Sequence, residues 1–132
     1  MVRRWARIIG LLVGAFYLVF GVWAFLAPES FAESVASYPP YNSHYLKDLG
    51  AFQVGLGVGM VAAVAWADGI SAAFLGVAAA SVLHAASHIQ DRALGGRASD
   101  PYTVGLIALL VLTGLAFSGR RNGRRRMDPD RG

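Results

Sequence analysis

The chain has 132 residues, of which 55% are hydrophobic and only 15% charged, with a mean hydropathy of +0.47 and a net charge of +4. Soluble domains carry about 25% charged residues, so this chain has too few to cover a globular surface in water. It has no cysteine, which excludes disulfides, thiolate metal sites and cysteine nucleophiles.

The length implies one domain. Nine of the twelve basic residues sit near the ends: Arg3, Arg4 and Arg7, then Arg120, Arg121, Arg124, Arg125, Arg126 and Arg131. A nucleic-acid binder spreads its cations over a folded face. Here they flank apolar runs, which is the membrane pattern, so the expected partner is the lipid bilayer and not nucleic acid.

Four apolar runs follow in chain order. The first, 5–27, is about 23 residues long with only Arg7 charged, and roughly 20 residues cross a bilayer. Its length exceeds the roughly 7–15 apolar residues of a secretory signal and no small-x-small site follows Ala27, so an uncleaved span is expected. Pro28 should stop this helix. The second run covers about 49–67 and the third about 70–89, with Asp68-Gly69 as a tight turn between them. The fourth, about 102–118, follows Ser99-Asp100-Pro101, a capping residue with proline at the helix start. These helices lack polar faces, which sets aside a soluble bundle. The predicted fold is all-α: an integral membrane four-helix bundle over 1–119, with a basic, disordered cytoplasmic tail over 120–132.

Basic termini and an even number of spans place both ends on the cytoplasmic side of the membrane. The segments 28–47 and 92–100 then lie outside. Glycine and alanine rows mark the expected helix contacts, because close backbone approach is what joins helices in lipid. Those rows are Gly10 and Gly14; Gly55, Gly59, Ala63 and Ala67; and Ala72, Gly76 and Ala80 continuing to His84 and His88.

The stretch LHAASHIQD, Leu83 to Asp91, carries the chemistry. His84 and His88 are four apart and share a helix face, and Asp91 completes the row. At the start of the second span His44 and Asp48 repeat the four-residue spacing, with Gln53 deeper. The short turn should make the second and third spans neighbours, so the two pairs are expected to converge at the outer end. Several chemistries fit that cluster. A divalent metal such as Zn²⁺ accepts imidazole and carboxylate, with His84, His88 and Asp91 as ligands. A haem would be better held by His44 with His84 than by His84 with His88. A quinone or similar apolar ligand would use His44, Asp48, His84 and His88 as hydrogen-bond or proton partners. The plain alternative is a structural network in which Asp48 fastens the hairpin. Spacing alone assigns no catalytic residue. Tyr17 and Gln53 are candidate hydrogen-bond members of the cluster, but are expected mainly to pack or to meet backbone.

The stretches HYLKDLGAFQVGLG, His44 to Gly57, and LHAASHIQDRALGG, Leu83 to Gly96, resemble small four-helix bacterial membrane proteins of the DoxX-like type, in particular an uncharacterised actinobacterial branch. The resemblance implies a quinone-linked or oxidative-stress membrane setting and brings no catalytic residue with it. The resulting expectation is an accessory or ligand-binding subunit, acting with membrane protein partners or as a homo-oligomer. The alternative is a metal- or cofactor-dependent redox enzyme using the same His/Asp cluster. A transporter is less favoured, because no charged residue falls near the membrane centre.

Overall fold

The structure, a computed structural model, describes residues 2–119; the expected tail over 120–132 lies outside them. It is helical: α1 Val2–Leu26, α2 Pro28–Ser34, α3 Ser43–Trp66, α4 Ile70–Gln90 and α5 Asp100–Gly119. Among the described residues no strand occurs. Four of the helices, α1, α3, α4 and α5, are long and apolar enough to cross a membrane. Large apolar side chains such as Leu12, Val19, Phe52, Val58, Leu75, Leu83 and Leu106 point outward. In water that surface would drive aggregation; in lipid it is solvated. This is a multi-pass membrane protein.

Most helix ends lie within three residues of the expected runs, and two differences bear on the site. The second span starts at Ser43, well before residue 49. Asn42 is the reason: its Oδ1 accepts from the His44 and Tyr45 backbone N–H groups at 3.0 and 3.3 Å, satisfying orphan donors of the first turn. Pro28, expected only as a stop, also opens the short α2 at its first turn, where its missing N–H is harmless. Phe31 of α2 is buried, with its ring edge-on to Phe20 and Trp23 at 6.4 and 5.5 Å. The Asp68-Gly69 turn forms as expected, with Ala67 and Gly69 left-handed and Asp68 Oδ1 accepting from Gly69 N–H at 2.8 Å.

Helix neighbours are set by where backbones can approach. α1 packs most extensively on α3, α4 packs on α5, and α1 also meets α5. α3 and α4, joined by the short turn, nevertheless make few contacts with each other. This corrects the expected tight hairpin. Gly14 lies against Gly57, and Gly21 against Gly50, so an antiparallel α1–α3 seam repeats every seven residues. Seven is the spacing that keeps one side of two long helices in register at a shallow crossing. Gly10 joins the seam beside Met60 and Val64. By contrast Gly55, Gly59 and Gly76 have open space around them, so the four-residue rows on α3 and α4 do not mark contacts there. On α4 the buried row is Phe74, Val77, Ala78 and Ser81. Gly114 of α5 makes room for the Phe74 ring.

The dense core occupies one half of the bundle, toward the α3–α4 turn. It joins Ala6, Ile9, Val13, Met60, Phe74, Val77 and Val111, with Tyr17 at its inner limit. Arg7 closes this end, donating through Nη2 to the Val64 carbonyl at 3.3 Å, where the α3 dipole is negative. The other half is not filled.

Candidate functional site

The unfilled half is a cavity of about 590 Å³. α1 contributes Phe16, Tyr17 and Phe20; α3 contributes Leu46, Leu49 and Gln53; α4 contributes Ser81, His84 and His88; and α5 contributes Val104 and Ile107. α2 and the segment 35–42 roof it. Each wall follows from helical spacing: Phe16 and Phe20 are one turn apart and their rings stack at 4.5 Å, while Ser81, His84 and His88 lie three and four residues apart on one face.

Its polar groups are few. Tyr17 Oη lies 2.8 Å from Ser81 Oγ, which in turn donates to the Val77 carbonyl at 2.7 Å. The His84 and His88 rings meet edge to face at 4.7 Å. His88 Nδ1 lies 3.0 Å from the Tyr38 hydroxyl. Gln53 Oε1 is buried and has no hydrogen-bond partner. Asp91 and Asp100 stand at the mouth, where α4 ends and α5 begins.

The expected cluster is therefore divided. His84, His88 and Asp91 line the cavity. His44 and Asp48 do not: they pair with each other at 3.5 Å across one turn, with side chains 77% and 56% exposed. An exposed pair of this kind contributes about 0–1 kcal/mol. The convergence fails because α3 follows the glycine seam of α1 and leaves α4, so sharing a membrane level does not bring the pairs together. Among the described residues, no three His, Asp or Glu side chains are grouped so as to hold a metal ion. Gln53 and Tyr17, expected mainly to pack, line the cavity wall. Ser81 and Tyr38 were missed. The available signal for Ser81 was a hydroxyl mid-way along an apolar run, one turn before His84; for Tyr38 it was the aromatic-rich YPPYN of the roof.

Tyr38 latches that roof. Its ring packs edge-on to His88 at 5.7 Å, and Gly96 N–H donates to the Ser37 carbonyl at 2.9 Å. Gly96 has φ +80°, and any Cβ there would meet the Tyr38 ring and the Asp100 carboxylate, so glycine is required by both backbone and space. Burial first, then the charges of Asp100 and Asp91, raise the Tyr38 pKa above its ordinary 10.0. A raised phenol pKa means the folded state holds its proton longer than the unfolded chain. The associated stability is complete below about pH 10 and is lost as pH rises through the folded value. Accordingly, Tyr38 should contribute a phase above the ordinary tyrosine range in an ultraviolet titration. Tyr38→Phe should remove that late phase and speed amide exchange in 35–42; unchanged exchange would mean the latch does not hold the roof.

No family model, curated protein or solved structure matches this chain. Fold and site together define its class: a multi-pass membrane helix bundle with a packed core at one end and an aromatic-walled chamber at the other.

Proposed function

We propose that this protein is a small membrane-resident binding protein that holds a neutral, largely apolar molecule in the chamber, as an accessory subunit of a membrane redox system. The observation that carries this reading is Gln53: a buried amide oxygen without a partner, in the wall of an otherwise apolar cavity of about 590 Å³. Leaving such a group unsatisfied costs about 1–3 kcal/mol, a cost that a ligand removes on binding. Known small-molecule sites span about 300–1,000 Å³ and combine apolar walls with a few placed polar groups. No Lys or Arg is among the lining residues, which disfavours an anionic ligand.

The basic ends support a cytoplasmic location for both termini in a bacterial inner membrane, so the chamber faces outward. The resemblance to DoxX-like proteins supports the redox setting and a compound of the quinone–hydroquinone type as occupant. A second reading, a cofactor-dependent redox enzyme, draws on the contact between the His84 and His88 rings at 4.7 Å. In that case His84 and His88 would be its ligand-facing groups.

The test is to purify the full chain in mild detergent, extract bound apolar compounds, and compare with Val104→Trp, which fills the chamber from α5. The native protein should retain a compound near stoichiometry and the variant about tenfold less. Equal recovery from both, with the variant folded, would refute the chamber as the binding site. A stoichiometric metal or haem lost in His84→Ala/His88→Ala would favour the enzyme reading.

A further inference from the structure

We propose that the chamber selects a molecule that donates a hydrogen bond, a neutral ring-headed hydroxyl compound of the alkylphenol or hydroquinone class, and that Tyr17 Oη accepts it. This rests on the binding role above and fixes the chemistry of the ligand's head.

The argument is a count of protons. Ser81 Oγ stands 2.7 Å from the Val77 carbonyl oxygen. A carbonyl has no proton, so the single hydroxyl proton of Ser81 must lie between them. Tyr17 Oη stands 2.8 Å from Ser81 Oγ, a distance two oxygens tolerate only with a proton between them. Since the Ser81 proton is already committed, that proton is Tyr17's. The chain of donation runs Tyr17 to Ser81 to Val77, with both donors engaged. What Tyr17 still offers is a lone pair.

Gln53 lies close by. A Cβ built on Gly21 would come within 2.9 Å of Gln53 Cβ, and Tyr17 is one turn before Gly21 on α1. Gln53 therefore stands one helical turn, ~6 Å over four residues, from the level of Tyr17. No hydrogen bond fixes its amide, so it can turn to accept or to donate. Tyr17 decides the sign. A quinone brings only carbonyl acceptors and would set lone pair against lone pair; a phenol or hydroquinone brings the missing proton. Of the quinone-type ligands expected from the sequence, the reduced form fits.

Charge and shape narrow the class. The inner patch of Tyr17, Ser81 and Gln53 has no carboxylate, since Asp91 and Asp100 stand at the mouth. An ammonium donor would lose its hydration there without a counter-charge, so the head is neutral. The stacked rings of Phe16 and Phe20 beside Tyr17 offer a flat face to a ring.

The experiment uses the full chain in mild detergent and two probes of similar size and apolarity, para-nonylphenol and its methyl ether, with affinities read by calorimetric titration. The phenol should bind about tenfold more tightly, the effect of one good hydrogen bond. Tyr17→Phe should reduce that preference below about twofold while leaving the ether's affinity in place. Ser81→Ala provides a second reading: it frees the Tyr17 proton to donate, so the ether should gain several-fold while the phenol does not. An ether bound as tightly as the phenol by the native protein, or a preference that survives Tyr17→Phe and is unmoved by Ser81→Ala, overturns the donor assignment and leaves the chamber's binding role standing. Failure of both probes to bind overturns both.

Discussion

Gly21→Ala should destabilise the bundle by about 2–3 kcal/mol, whereas Gly55→Ala, three residues into the next α3 turn from Gln53's neighbour Phe52, should be neutral or slightly stabilising. The two substitutions add the same methyl group to a helix. At Gly21 the new Cβ would lie 2.8 Å from Val54 N and 2.9 Å from Gly50 O. These are backbone atoms of α3 and cannot rotate aside, so the helices must separate along the seam. At Gly55 nothing lies within 4 Å, and the helix only gains propensity. Equilibrium unfolding in mild detergent reads both. If Gly21→Ala unfolds with the native midpoint, the α1–α3 seam is not what holds the bundle.

The second large effect concerns Phe74, which has no exposed surface. Phe74→Ala should cost about 3–5 kcal/mol, at the lower end here because the unfolded reference in lipid also shields the ring from water. What is lost is packing against Gly114 and Ile9, and the same ring blocks any side chain at Gly114. Gly114→Ala should therefore be strongly destabilising in the native protein and much milder beside Phe74→Ala. The double-mutant cycle would show at least about 1 kcal/mol of coupling. Because Phe74 belongs to the core half and does not line the chamber, ligand retention by the folded fraction should survive the substitution. Additive losses in the cycle would contradict this packing.

What was legible in the sequence divides along the same physical lines. Span number and approximate length follow from hydropathy, which is local, and 70–89 differs from α4 by a single residue at its end. The turn at Asp68-Gly69 and the small-residue contact at Gly10 and Gly14 were also readable. Partner choice was not. Every span carries small residues at several spacings, and nothing local distinguishes Gly50 and Gly57, which meet α1, from Gly55 and Gly59, which meet nothing. The four-residue rule selected the wrong pair on α3, and, separately, the short turn implied an α3–α4 packing that is sparse. That implied packing placed His44 and Asp48 opposite His84 and His88, although α3 turns that exposed pair away. His84 and His88 were found because titratable groups are conspicuous in an apolar run. Tyr17 and Ser81 were not joined, because their 2.8 Å contact crosses from α1 to α4 between helices not adjacent in sequence.

The sparse contact between α3 and α4 has a mechanical consequence. The bundle is two helix pairs, α1 with α3 and α4 with α5, clamped at the core end and joined there by the Ala67–Gly69 bend. Such an object is stiff at its base and compliant at its tip. α4, with 21 residues, is a lever about 31 Å long, so a tilt of about 5° at the bend moves its far end roughly 3 Å. That displacement is delivered where the chamber lies. For a molecule taken up from the bilayer, as proposed above, such a tilt would open a path between the tips of α3 and α4 while Phe74, Met60 and Val111 keep their packing.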